Sequence, residues 1–228
     1  IPGAPPYVIQ PQSPLPDVGD ATILDATTQP GFAGSPIVQL SGASTCCEGL
    51  RLAAAGSTVR GFVVRNWPGI GIYDFAGNAT IAGNFLGTDV TGTLAQANNT
   101  GVWAGASGTL VGGATAADRN LISGNGTGLV LNSGSFARGN WIGLDATGAA
   151  ALANGSGVSV QDATLGGTGA GEANTVSGNI GVGVTVYGSA SLVQGNLIGT
   201  NPAGSATVPN AGGGIGTFAS GGTLGGPL

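Results

Sequence analysis

A seven-residue segment recurs along this chain at a fixed spacing of 56 residues: Gly83-Asn84-Phe85-Leu86-Gly87-Thr88-Asp89, Gly139-Asn140-Trp141-Ile142-Gly143-Leu144-Asp145 and Gly195-Asn196-Leu197-Ile198-Gly199-Thr200-Asn201. Other features keep their order between these anchors. Thr91-Gly92 is matched by Thr147-Gly148, Asn98 by Asn154 and Asn210, and Asn120-Leu121-Ile122-Ser123-Gly124-Asn125 by Asn174-Thr175-Val176-Ser177-Gly178-Asn179. Leu110-Val111-Gly112-Gly113 is answered by Thr164-Leu165-Gly166-Gly167 and by Thr223-Leu224-Gly225-Gly226. A chain that repeats at so many points folds by stacking similar units.

Each 56-residue unit holds two Gly-aliphatic segments, so the structural period is about half of it. The series Gly49-Leu50-Arg51-Leu52, Gly69-Ile70-Gly71-Ile72, Gly101-Val102, Gly128-Leu129-Val130-Leu131, Gly157-Val158-Ser159-Val160, Gly183-Val184-Thr185-Val186 and Gly214-Ile215 advances by 20 to 32 residues per step. That length holds three short strands and their turns. In a right-handed parallel β-helix each strand pairs with its equivalent one coil away, about 4.8 Å along the axis. The alternation of Leu50 with Leu52, and of Val184 with Val186, points one face of the strand inward. Gly and Asn suit the corners because both tolerate left-handed backbone, and stacked Asn side chains can form amide ladders. The expected fold is all-β: a right-handed parallel β-helix, or solenoid, of roughly eight or nine coils.

Composition excludes the alternatives. The 47 Gly and the lack of Lys and Met leave little from which to build a helix, where each interior Gly costs roughly 1 kcal/mol relative to Ala. A hydrophobic content of 41% is too high for a solvated disordered chain, and the glycines follow no period of three as collagen would need. Uneven coil lengths disfavour a propeller with uniform blades. No apolar run is long enough to span a bilayer, so membrane insertion is not expected. The net charge of −5 and the scattering of Arg51, Arg60, Arg65, Arg119 and Arg138 argue against nucleic acid.

The whole of residues 1–228 reads as a single solenoid domain, with regular coils over 46–228. Residues 1–45 are less regular first coils, with strands expected at Tyr7-Val8-Ile9, Thr22-Ile23-Leu24-Asp25 and Ile37-Val38-Gln39-Leu40 between Pro- and Gly-containing turns. The run from Thr22 through Thr28-Gln29-Pro30-Gly31-Phe32 to Val38, then Gly56-Ser57-Thr58-Val59-Arg60-Gly61-Phe62-Val63-Val64, then the Gly-Asn-x-Ile-Gly-Thr-Asp units, closely resembles large secreted bacterial proteins with parallel β-helix repeats. The resemblance covers essentially the whole chain. It implies the right-handed β-helix fold of pectate lyases and an extracellular or cell-surface location; on activity it is nearly silent.

The residues that could carry chemistry are few. Asp74, Asp89, Asp118, Asp145 and Asp162, with Arg60, Arg65, Arg119 and Arg138, are the supply from which a polysaccharide lyase or glycosidase could draw. Asp89 and Asp145 occupy equivalent positions in an Asp-x-Thr-Gly turn, and with Asn84, Asn140 and Asn196 they are expected to form a structural turn ladder. The absence of His removes the usual general base and metal ligand, and no catalytic residue, cofactor or metal site is assigned. Trp67, Trp103, Tyr73 and Tyr187 are candidate sugar-stacking aromatics. Trp103 replaces Ser159 of the next unit and is the better surface candidate, whereas Trp141, aligned with Phe85 and Leu197, reads as a core or ladder residue. Asn78, Asn98, Asn125 and Asn154 open Asn-x-Ser/Thr sequons that could accept glycans. The adjacent Cys46 and Cys47 leave three readings open: a vicinal disulfide, two free thiols, or an intermolecular cross-link.

The leading functional expectation is an extracellular structural or adhesive solenoid, a filament subunit that associates head to tail with copies of itself through uncapped strand edges. The alternative is a polysaccharide lyase, glycosidase or carbohydrate-binding module on the same scaffold, with a surface polysaccharide as partner. Cleavage would need Asp and Arg side chains converging on one face; binding alone would need exposed aromatics in line.

Overall fold

A computed structural model describes residues 1–218 and 221–225 of the chain; Gly226, the end of the third Leu-Gly-Gly copy, lies outside them. Among the described residues there is no helix, and the strands form three parallel sheets of eight, seven and eight strands. Each strand neighbours its equivalents in the coils before and after, giving a right-handed parallel β-solenoid of about eight coils. One coil runs Leu121–Ile122 in the first sheet, Thr127–Asn132 in the second and Phe136–Arg138 in the third; the next runs Trp141–Ile142, Ser156–Gln161 and Thr164–Gly166. All the Gly-aliphatic segments seen in the sequence lie on the second sheet.

The first and third sheets each send one column of aliphatics into the shared core, and the second sends two, the other being Ala104, Leu131, Val160 and Val186. Val64, Leu86, Ile122, Ile142 and Val176 come from the first sheet, Leu129, Val158 and Val184 from the second, and Val59, Ile81, Val111 and Leu165 from the third. A continuous core of this kind requires every coil to contribute the same residue type at the same height, which is why the hydrophobic pattern repeats with the coil. The first coil is thinner. Tyr7–Ile9 and Ile23–Asp25 form strands, and between them Val18 alone bridges to Leu52 in place of a strand on the second sheet.

The two-coil sequence period has a simple structural cause. First-sheet strands begin at residues 85, 121, 141, 175 and 197, so long and short coils alternate. The long coils carry small antiparallel hairpins closed by Thr88 with Ala95, Leu144 with Ala151 and Thr200 with Thr207. The first two hairpins touch through the Ala146 N–H, which donates to the Gly92 carbonyl at 2.9 Å, and Gly148 of the second lies against Pro202 of the third. Together they form a flange along the corner between the first and second sheets.

Two buried asparagine ladders run down the inner corners. In one, Asn84, Asn120, Asn140, Asn174 and Asn196 each present Oδ1 to the coil before, where it accepts from the backbone N–H of the preceding rung at 2.9–3.2 Å; between successive asparagines the preceding Nδ2 donates to the same oxygen. Asn98, Asn125, Asn154, Asn179 and Asn210 form the other in the same way. There is one rung per coil, so Asn120 and Asn174 stand between the Asn84, Asn140 and Asn196 of the sequence repeat. Each ladder ends toward the N-terminus at an aromatic residue in the equivalent position: the Phe62 N–H donates to Asn84 and the Trp67 N–H to Asn98.

Glycine forms a third column, Gly49, Gly71, Gly101, Gly128, Gly157, Gly183 and Gly214. A Cβ on each of the first six would lie 2.2–2.8 Å from the carbonyl oxygen of the next glycine in the column, so the second sheet can stack at this corner only without side chains.

Candidate binding surfaces

The sequence-level candidates divide by face. Trp67 is corrected first: its side chain is 1% exposed and fills the space left by Gly42 and Gly49, where a Cβ would come within 2.5 and 3.1 Å of the ring. It is a core plug at the head of an asparagine ladder and is closed to any ligand. Asp74 is also no surface acid. It points inward in register with Leu52 and Ala104, fully buried, and accepts from the N–H groups of Ala76 and Gly77 and from the Thr109 hydroxyl. Of the four sequons, Asn98, Asn125 and Asn154 are ladder rungs whose amide nitrogens are buried and hydrogen-bonded, which removes them as glycan acceptors; Asn78 remains exposed.

Asp89 and Asp145 hold the flange hairpins. The Asp89 carboxylate accepts from the Thr91 hydroxyl and from the N–H groups of Thr93 and Leu94; Asp145 repeats the arrangement with Thr147 and Ala150, and Asn201 does so with Ser205 and Ala206. Burial works to raise the Asp89 pKa, but the Thr91 and backbone hydrogen bonds together outweigh it and hold the group below the ordinary carboxylate value. Asp162 closes another turn, accepting from the Ala190 N–H at 2.9 Å. The sulfurs of Cys46 and Cys47 are bonded to each other, in a turn whose Cys47 carbonyl accepts from Gly69 N–H at 3.0 Å.

On the outer face of the second sheet, Tyr73 and Trp103 occupy adjacent rungs of one outward column, with Arg51 one coil before and Val130 one coil after. The Tyr73 and Trp103 ring centroids are 5.8 Å apart, the exposed Phe75 ring is 5.2 Å from Tyr73, and the Arg51 guanidinium lies 5.4 Å from the Phe75 ring. This is an aromatic patch on a rigid sheet, edged by Arg51, whose charge is met by Asp17 at 3.3 Å. Tyr187 belongs to a different column, in register with Gln161, and stacks on Phe218 at 5.5 Å.

At the corner between the third and first sheets lies a groove of about 310 Å³ that linear reading did not anticipate. Asp25 and Arg60 come from adjacent third-sheet strands, Phe85, Leu121 and Trp141 from three consecutive first-sheet strands, Ala116, Ala117 and Arg119 from the corner between them, and Phe32 from the first-coil loop. Trp141 is in a ladder, as expected, but in the outward one. Arg60 pairs with Asp118 at 3.0 Å, and Asp118 also accepts from the Thr115 hydroxyl. Asp25 Oδ1 accepts from both the N–H and the hydroxyl of Thr27. The Arg119 guanidinium lies 4.4 Å above the Trp141 ring, and burial lowers its pKa from the ordinary value. The other two candidate arginines stand apart from the groove: Arg138 pairs with Glu172 at 2.6 Å, and Arg65 bonds to Gln39 and Gln96. Asp25, Phe32 and Phe85 escaped the sequence reading because nothing local marks them; only the coil register brings them to one corner. No protein-family model matches the chain, and neither a curated protein nor a solved structure matches it.

Proposed function

We propose that this protein is an extracellular structural or adhesive β-solenoid that holds polysaccharide on the outer face of its second sheet. The observation that supports it is the alignment of Tyr73 and Trp103 in one outward column, flanked by Phe75 and Arg51. Aromatic rings fixed by parallel strands offer apolar faces to sugar rings at little cost in conformational entropy. The Cys46–Cys47 disulfide suits an oxidising, extracellular compartment, and the resemblance to secreted repeat proteins points the same way. Binding is favoured over cleavage because the carboxylates named above are each tied to backbone N–H groups, hydroxyls or a guanidinium, which holds turns in place.

The test is retention on a panel of immobilised polysaccharides. The double variant Tyr73→Ala/Trp103→Ala should lose about tenfold or more in affinity for the polymer that retains the parent, as removal of aromatic anchors generally does. Unchanged retention would exclude this face. Head-to-tail association is a second reading, in which a neighbouring copy would cover Val8 and Ile23 of the first described coil and Ile215 and Leu224 of the last described one. Sedimentation coefficients that rise with concentration are its expected signature, and a constant monomer would remove it.

A further inference from the structure

The groove at the corner of the third and first sheets holds a cation with no counter-charge. Arg119 makes no ion pair or hydrogen bond among the described residues, and its Nε is buried without a partner. Trp141 supports the guanidinium from one side, so its position is set before any ligand arrives. At the other end of the groove, four first-sheet strands along the stack from Trp141, Asp25 engages only Oδ1, leaving Oδ2 without a hydrogen bond among the described residues. Phe32 and Phe85 line the same groove. The remaining charges, Arg60 and Asp118, neutralise each other at 3.0 Å.

We propose that this groove binds a short acidic saccharide laid along the stack, with the oxyanion of a carboxylate or sulfate group of one unit on Arg119 beside Phe85, and hydroxyls of a further unit donating to Asp25 Oδ2. A forked guanidinium matches an oxyanion in geometry as well as charge, and a half-buried one loses little further hydration on binding. Asp25 selects against a ligand that is anionic throughout and for one that also carries hydroxyl donors. The volume lies at the lower end of small-ligand sites, enough for a short saccharide and too small for a folded partner. This site is separate from the Tyr73–Trp103 column, and neither assignment depends on the other.

The experiment is saturation-transfer NMR on the full chain with methyl glucuronoside, glucose 6-sulfate and methyl glucoside. Transfer to the ring protons of an acidic sugar, with the neutral glucoside bound at least about tenfold more weakly, is the expected result. Which acidic sugar binds separates the carboxylate source from the sulfate one. Arg119→Gln should lose about tenfold or more. Ala116→Glu, at an exposed position on the groove rim, should weaken binding without touching the fold by placing a competing carboxylate there. Tyr73→Ala should bind as the parent does. No transfer to either acidic sugar, equal binding of the glucoside, or full binding by both groove variants would overturn the site. Displacement of the sugar by an acidic peptide at equal concentration would overturn the saccharide class.

Discussion

Replacing Asn154 with Ala is expected to destabilise the solenoid by about 3–5 kcal/mol, read as a fall in the urea midpoint. The Asn154 side chain is fully buried and makes four hydrogen bonds. Nδ2 donates to the Ile122 carbonyl and to Asn179 Oδ1, both at 2.9 Å, and Oδ1 accepts from the Asn125 N–H at 2.9 Å and from Asn125 Nδ2 at 3.1 Å. Truncation leaves these partners in a water-poor corner, where each unsatisfied group costs about 1–3 kcal/mol. Some of that is recovered by relaxation or an entering water, hence the total. Asn78→Gly, at an exposed turn with φ +54, keeps the left-handed backbone accessible and should shift the midpoint by no more than about 0.5 kcal/mol. If the two variants unfold alike, the ladder contributes nothing that the backbone does not already supply.

Trp67→Ala should cost a similar amount, about 3–5 kcal/mol, through a cavity where a large side chain was fully enclosed. The loss should be felt locally. Trp67, on the third coil, fills the space against the Gly42 and Gly49 backbones of the second, so amide exchange over residues 42–52 should accelerate before the later coils respond. Trp67→Phe retains most of the packing and loses only an Nε1–H that has no hydrogen-bond partner, so it should sit close to the parent. Uniform acceleration along the whole chain in Trp67→Ala would show that the plug acts on global stability. No acceleration at all would show that the space is filled some other way.

Both variants test features that differ in how far they can be read from sequence. Asn154 is visible in the repeat, because it recurs with Asn98 and Asn210 at a fixed offset from the Gly-Asn segments. What the linear spacing hides is that Asn125 and Asn179, which belong to short coils, are rungs of the same ladder. Trp67 follows Val64 by three residues, as Asn125 follows Ile122 and Asn179 follows Val176, and so holds a rung position. The sequence offered it only as a candidate sugar-stacking aromatic. Its burial comes from glycines on the preceding coil that leave room for the ring.

The coil, its three short strands, the alternation of core and solvent faces, and the glycine and asparagine columns follow from the sequence alone, because each is a demand of local geometry repeated at every turn. A left-handed corner, a strand that buries every second residue and a backbone that passes within contact of the next coil each restrict residue type at one position, and the restriction then recurs with the period. The outer faces obey no such rule. Tyr73 beside Trp103, and Arg119 over Trp141 with Asp25 lining the same groove, depend on the register between coils and on the lengths of the corners that separate them. Residues tens of positions apart become neighbours there only once the stack has formed, so the tertiary structure alone decided which side chains meet on the outer faces.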